Sequence, residues 1–297
     1  MKEFSFWEEY EGTSEGSGRS EKIWLQNPDT GQIGLFKFKK DVGTTDHVSE
    51  CIAYELACLL DIPCAKFELG TYLGREGSIS YNIIQSADEY LIEGIHFITL
   101  LYPSYDSELF MDMETQRRYS IDMVIKAIEK FIPIKDFLQM LIFDFLIGNS
   151  DRHQSNWAII FNGNEMKWSP LYDNSSSLCA YIAEEQIESY LGRDKNRWKS
   201  LVDTKSKSII RCTESDQARP THLTVLNYIN ERFSNETNEF VRKIVFLLTE
   251  ENISAILNRY LENELSDKKK ILIKNYLLCK VQMMKEVYFG KEELNVN

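Results

Sequence analysis

LIGNSDRHQSNWAII, residues 146–160, is the stretch whose reading decides the fold. An apolar segment stops at Gly148, a polar run follows, and the chain turns apolar again at Trp157. Upstream, IKDFLQMLIFDFLIG is apolar nearly all round, which predicts a central helix buried on every side. Downstream, the strand-like runs WAIIF and MKWSPLY flank NGNE, a natural hairpin turn. Asn149, Ser150, Asp151, Arg152, His153 and Asn156 are thus expected on a loop between two buried elements. Polar side chains on a loop held by a rigid frame are frequent carriers of chemistry.

Asp151 and Asn156 are spaced D-x-x-x-x-N, and Asp173 follows in SPLYDNSSSL at the end of a strand-like run. This set suits phosphoryl transfer. Asp151 can accept or orient the proton of an incoming hydroxyl, and Asn156 and Asp173 offer hard oxygen ligands for Mg²⁺ beside nucleotide phosphates. Two carboxylates about 4 Å apart repel by about 4 kcal/mol at an effective dielectric of about 20, so a site that keeps both ionised calls for a cation.

The partners lie upstream. KIWLQ and IGLFKFK are strand-like around the turn NPDTG, and Lys37 alternates there with Leu35, Phe36 and Phe38. TTDHVSECIAYELACLLDI predicts a helix with Asp46 as its cap, Ile52, Leu56, Leu59 and Leu60 on its apolar stripe, and Pro63 beyond its end. Glu50 and Glu55 flank that stripe on opposite sides, and the geometry permits either as the partner of Lys37. Gly12, Gly16 and Gly18, in EGTSEGSGRSEK before the first expected strand, could bring backbone N–H groups over phosphates. Taken singly, each feature has a plainer reading: a loop, a solubilising edge lysine, a solvated helix face. Arg152 could be a solvated charge or could hold the loop through a carboxylate such as Asp144, and His153 reads as a residue that fixes the loop. What lifts the set is its order, which is the kinase order.

AKFELGTYL and SISYNII complete a β-rich small lobe, and from about residue 90 the pattern is largely helical, including EFVRKIVFLL, NISAILNRYL and a helix with a Ser-Asp cap signal at SDKKK. NISAILNRYL places Ile253, Ile256, Leu257, Tyr260 and Leu261 on one stripe. The expected fold is α+β and bilobal: residues 1–88 form a small β-rich lobe with one helix, and residues 89–297 a large, mainly helical lobe, within one domain. The net charge of −12 argues against general attraction to nucleic acid or anionic lipid. No apolar run is long enough for a membrane span, and no secretory signal is evident. The 6 cysteines have no CxxC pairing, which points to reduced thiols in a cytoplasmic protein and away from zinc.

LFKF, SECIAYELACLLDIP, GREGSIS, FDFLIGNSDRHQSNW and SPLYDNSSSL together resemble the HipA-like serine/threonine kinases, over roughly residues 12–290. The resemblance implies a protein-kinase-like fold and ATP- and Mg²⁺-dependent transfer to Ser/Thr hydroxyls of a protein substrate. It makes Asp151 the catalytic base, Asn156 and Asp173 the metal ligands, Lys37 the ATP-phosphate lysine and Glu50 its partner, with Glu55 in reserve. Residues 12–22, with Gly16, Ser17 and Gly18, correspond to the phosphate-covering loop, where Ser14, Ser17 and Ser20 are candidates for autophosphorylation. Ile83, Ile84 and Gln85, in SYNIIQS, correspond to the adenine hinge. Classical members are bacterial toxins that phosphorylate aminoacyl-tRNA synthetases and are silenced by a DNA-binding antitoxin, so an antitoxin is an implied partner. The best-known members carry an extra N-terminal subdomain, whereas about a dozen residues precede the glycine loop here; this bears on the toxin role, not on phosphotransfer. DRHQSN is also similar to the DRHxxN loop of phosphatidylinositol 3/4-kinases, but those have DFG where this chain has YDN. A lipid or small-molecule kinase is therefore the second reading, and a nucleotide-binding pseudokinase, antitoxin or scaffold the third.

Overall fold

The structure is a computed structural model that describes residues 1–11, 21–41, 43–84 and 86–290. Its first part is a six-stranded sheet. In chain order the strands are β1 (Lys2–Glu3), β2 (Glu8–Glu9), β3 (Lys22–Gln26) and β4 (Ile33–Phe38), then helix α1 (Asp46–Leu59), then β5 (Phe67–Tyr72) and β6 (Arg75–Tyr81). The order across the sheet is β1-β5-β6-β4-β3-β2, antiparallel except for β1 on β5. Two short strands therefore precede the glycine stretch, ahead of the first strand that the sequence pattern gives. Their own side chains are exposed, and it is Phe4 and Trp7 between them that enter a small core with Leu25, Phe36, Tyr72, Ile79 and Tyr81.

Asp46 does not cap α1. Thr45 takes the N-cap position without a side-chain bond, and Asp46 is the first helical residue, accepting from Thr44 Oγ1. The buried face of α1, from Val48 to Leu56, packs into the main core rather than the small one, so α1 bridges the two parts.

The second part begins with β7 (Tyr90–Glu93) and α2 (Gly94–Leu101), followed by β8 (Tyr105–Asp106), β9 (Met111–Asp112), α3 (Ile121–Ile128) and α4 (Lys135–Ile147). Next come β10 (Ala158–Phe161) and β11 (Met166–Trp168), α5 (Glu184–Leu191), α6 (Lys195–Lys199) and a π-helical turn (Ser200–Thr204). Helices α7 (His222–Leu247), α8 (Glu250–Leu257) and α9 (Asp267–Phe289) close the chain. The expected β10–β11 hairpin is antiparallel, and β7, which the sequence pattern did not single out, pairs with the other edge of β10. Ser266 caps α9 by accepting from Lys269 N. Helix α8 stops at Leu257, which leaves Ile253, Ile256, Leu257 and Tyr260 buried but Leu261 63% exposed, outside the stripe expected for it. Among the described residues no helix is long and apolar enough to cross a membrane, and all six cysteines are free.

Helix α4 is the axis of the large part: every residue from Met140 to Ile147 is buried. It ends at Gly148, which is left-handed with φ +69° and donates to Asp144 O. A Cβ there would meet the Tyr276 hydroxyl at 2.0 Å, so both backbone and space require glycine. Gly163 in the β10–β11 turn is also left-handed, with φ +88°, but has open space around it. Gly163→Ala should cost about 1 kcal/mol from backbone strain alone, and Gly148→Ala about 2–4 kcal/mol because overpacking adds to the same strain. Urea denaturation of the two variants measures the difference.

Candidate active site

Arg152 makes more ties to the loop after Gly148 than its neighbours there. Arg152 donates from Nε and Nη2 to Asp144 in α4, from Nη1 to Asn156 O (2.8 Å) and Tyr172 O (2.7 Å), and from Nη2 to Asn174 Oδ1 (2.6 Å). It thereby ties three segments: the end of α4, the polar loop and the stretch 172–174. Asn149 adds a second tie, donating to Asp144 Oδ1 and accepting from Asp151 N. His153 Nδ1 accepts from Ser155 N within the loop. Tyr172 OH reaches Ser155 O at 3.1 Å, and Ser150 N donates to Ser176 O.

Asn156 Nδ2 donates to Asp151 O at 2.8 Å, which fixes the amide and leaves Oδ1 as its acceptor face. Asp173 has φ +54°, a conformation most tolerated by Asn and Asp, and it turns its carboxylate towards the sheet. There Lys37 Nζ, from near the end of β4, lies 3.0 Å from Asp173 Oδ1 and 3.5 Å from Glu50 Oε1. Glu50 is 1% exposed and its Oε2 accepts from Asn174 N at 2.8 Å. Glu55 goes elsewhere: it accepts from Tyr260 OH at 2.9 Å and pairs with Arg259. Lys37, Glu50 and Asp173 thus meet from three segments of the chain, and Asp151 and Asn156 lie on the loop that Arg152 ties to the third.

Ile83 and Ile84 follow β6, half-buried, and Ile84 N donates to Asn82 Oδ1 at 3.1 Å. Gly12, Ser14, Gly16, Ser17, Gly18, Ser20 and Gln85 lie outside the described residues. Sequence reasoning missed Asn174, Tyr119 and His222. Tyr119 OH donates to Arg152 O and receives Trp157 Nε1. His222 Nε2, at the start of α7, bonds Asn149 O at 2.7 Å, and its Nδ1 bonds Ser206 Oγ, which in turn receives buried Lys280 Nζ. Asn174 stood inside the quoted motif, but a lone histidine 73 residues from its partner leaves no local signal.

Charge is unevenly distributed over this set. Burial alone would raise the Asp173 carboxyl, but the Lys37 ammonium, with Arg152 and His153 behind it, holds it down at about 2. Burial pushes Glu50 up, and the Asp173 charge adds to that push against the pull of Lys37. Burial also raises Asp151; His153, Lys40 and Arg219 oppose the rise while Asp173 reinforces it. Lys37 stays protonated, because its two carboxylates outweigh burial.

Among the described residues the same cleft has polar atoms without partners. Ser78 Oγ and His47 Nδ1 are buried and unbonded, and both residues line it with Lys37, Lys40, Glu50 and Ser175. Orphaned groups beside two lysines fit an anionic, oxygen-rich ligand such as a nucleotide phosphate chain. Asn156 Oδ1 and the Asp173 carboxylate are hard oxygen donors. Two such donors suit Mg²⁺, which keeps waters and takes phosphate oxygens for the rest of its shell. Among the described residues no group of three His, Cys, Asp or Glu side chains could hold a metal by itself.

The depressed Asp173 pKa carries a pH signature. A carboxyl whose folded pKa lies below its unfolded value stabilises the fold above the unfolded pKa and loses that contribution as pH falls through the folded one. The stability gap between the wild-type chain and Asp173→Asn should therefore be full at pH above about 4 and shrink towards pH about 2. Urea midpoints across that window measure it, and Asn suits the left-handed backbone, so strain does not confound the comparison.

The family model described as HipA-like C-terminal domain matches residues 14–245. Among solved structures, the chain is similar to the Helicobacter pylori proinflammatory kinase CtkA, with TM-score 0.81 and 18% identity over 99% of both chains. It is also similar to Shewanella oneidensis MR-1 HipA, from a toxin-antitoxin complex with HipB and operator DNA, with TM-score 0.58 and 11% identity over 97% of this chain and 68% of that one. No curated protein matches. At these identities the structural likeness establishes the fold, which is α+β, bilobal and kinase-like, as the sequence pattern led one to expect. The match over residues 14–245 goes further, and the chain belongs to the HipA-like C-terminal domain family.

Proposed function

We propose that the chain is an ATP- and Mg²⁺-dependent kinase that transfers a phosphoryl group to a serine or threonine hydroxyl of a protein. The observation that carries this reading is the shared ammonium: Lys37 from the sheet lies within 3.5 Å of both Glu50 and Asp173, beside a loop that holds Asp151 and Asn156. The division of labour follows from position. Glu50 orients Lys37, which would bind the α- and β-phosphates once Asp173 is drawn to the metal. Asn156 and Asp173 would hold Mg²⁺, which neutralises phosphate charge when bound. Asp151, its proton affinity raised by burial, orients the acceptor hydroxyl and takes its proton.

Residues 1–88 form the nucleotide-covering lobe in this reading, and residues 89–297 the catalytic-loop lobe. Ile83 and Ile84 stand at the hinge between them. The kinase of the CtkA description supports phosphoryl transfer as the activity, and the toxin-antitoxin complex of HipA with HipB supports an antitoxin as the partner class. The absence of a membrane-spanning helix among the described residues is compatible with a cytoplasmic setting.

Asp151→Ala should lower transfer of labelled phosphate from ATP by about 10²–10⁴-fold while the thermal melt stays that of a folded chain. Asp173→Ala should lower it at least as much. Label on protein supports the proposal. Label on lipid redirects it to the second reading, and nucleotide binding with no transfer to the third. Transfer by Asp151→Ala at the wild-type rate would sink the assignment of Asp151.

A further inference from the structure

Three arginines, Arg118, Arg211 and Arg219, gather beside the loop that carries Asp151. Arg211 lies in a segment laid against residues 119–121: its N–H donates to Tyr119 O (3.1 Å) and its carbonyl accepts from Ile121 N (2.8 Å). Arg118 and Arg211 both reach Gln217. Arg118 Nη2 donates to Gln217 Oε1 at 3.2 Å, and Arg211 Nε and Nη2 donate to Gln217 O at 3.4 and 3.3 Å. Arg219, two residues beyond Gln217, has its guanidinium 6.0 Å from the Phe110 ring centre.

Among the described residues Arg118 and Arg211 bond only neutral amide and carbonyl oxygens, and the Arg219 guanidinium has only the Phe110 ring. Among the described residues none of the three forms an ion pair. Arg211 is only 8% exposed, yet its Nη1 has no hydrogen-bond partner, and Arg118 Nε is likewise buried and unbonded. Burial lowers the basicity of Arg211, and the Arg118 and Arg219 charges lower it further. The nearby Asp216 carboxylate opposes that fall through its charge, while its oxygens accept from Thr213 N (2.9 Å) and Thr213 Oγ1 (2.8 Å). Like charges pressed together with orphaned donors cost stability until an anion arrives. In a chain of net charge −12 such a cluster is a local feature and not a consequence of bulk composition.

The cluster is also bolted to the loop that carries Asp151. Tyr119, whose carbonyl receives Arg211 N, donates its hydroxyl to Arg152 O at 3.1 Å. Tyr105 OH reaches Gln154 Oε1 at 3.3 Å, and Arg211 acts electrostatically on that same tyrosine. Arg219 acts on the Asp151 carboxylate itself. An anion held by the arginines would therefore be a short distance along a chain from a hydroxyl placed at Asp151.

The geometry points to an anion-binding subsite formed by Arg118, Arg211 and Arg219, which takes a carboxylate or phosphate group flanking the acceptor hydroxyl and so selects acidic or phosphorylated segments as substrate. The flanking role rests on the kinase reading above; the anion site itself does not. Guanidinium forks match both oxyanions bidentately.

The test is binding of short fluorescent serine peptides to the full chain, followed by anisotropy. The flank is Asn-Asn, Asp-Asp or phosphoserine, so the last two arms separate a carboxylate source from a phosphate source. The anionic peptides should bind about tenfold or more tightly than the neutral one, with the preference falling as salt rises. Taken within each variant, the anionic-to-neutral ratio should fall to about twofold or less in Arg211→Gln and in Arg219→Gln, where one charged contact is gone. Arg219 is exposed, so its variant decides the matter should Arg211→Gln not fold. A wild-type ratio near one, or a ratio that survives in Arg219→Gln and in folded Arg211→Gln, overturns the subsite. Asp151-dependent label transfer is scored separately. Anion preference without transfer leaves the subsite and removes the kinase reading, and transfer without preference does the reverse.

Discussion

Arg152 and Asp144 are both almost wholly removed from water, at 1% and 3% exposure, and a charge pair buried that far persists only where its remaining donors and acceptors are also used. The condition is met. Beyond Asp144, the guanidinium takes two carbonyls and one amide oxygen, and Asn149 takes what Asp144 has left. A planar fork with five donors can do this; an ammonium on a flexible stem cannot reach three segments in one plane. The position of Asp151 relative to Asp173 follows from it, because the residue just after the first fastens the carbonyl before the second and the side-chain amide after it. The metal-ligand candidates are placed by an ion pair that never meets a ligand.

The cleft side works differently. Lys37 cannot satisfy Asp173 and Glu50 equally, and it lies closer to the carboxylate with the lower pKa. Glu50, deeper and partly deprived of its cation, relies on Asn174 N for its second oxygen. A divalent ion arriving between Asn156 and Asp173 would compete with Lys37 for Asp173. It would release the ammonium towards Glu50 and towards phosphate. In the proposed reading, the residue assigned to the nucleotide is here paired with the residue assigned to the metal.

Much of this was legible because it is periodic or local. The alternation around Lys37, the all-round apolarity of α4, the Asp-x4-Asn spacing and the NGNE hairpin each depend on residues within one element, and each element formed where its pattern lay. What escaped depends on distant partners. Glu50 and Glu55 flank the same stripe, and only the arrival of Arg259 and Tyr260 from beyond α8 decides between them. Leu261 continues a helical spacing that the chain itself abandons at Leu257. The strands β1 and β2 are two residues long with exposed side chains, too short for an alternation to show. The arginine cluster comes from residues 118 and 211–219, which no window spans together.

His222 shows how far the fixing of the loop extends. Its Nε2 faces a carbonyl, Asn149 O, which can only accept, so Nε2 carries the proton. Burial and the Lys280 charge hold the ring's pKa at about 3, so the imidazole is neutral and Nδ1 must accept from the Ser206 hydroxyl. The Ser206 oxygen is then free to accept from Lys280 Nζ, which also donates to Val202 O and lies 4.4 Å from the centre of the Phe145 ring of α4. With Lys280 charged, each donor in this row faces an acceptor. The loop is therefore held from behind by the neutral imidazole of α7, while burial draws the Lys280 ammonium of α9 down to about 7.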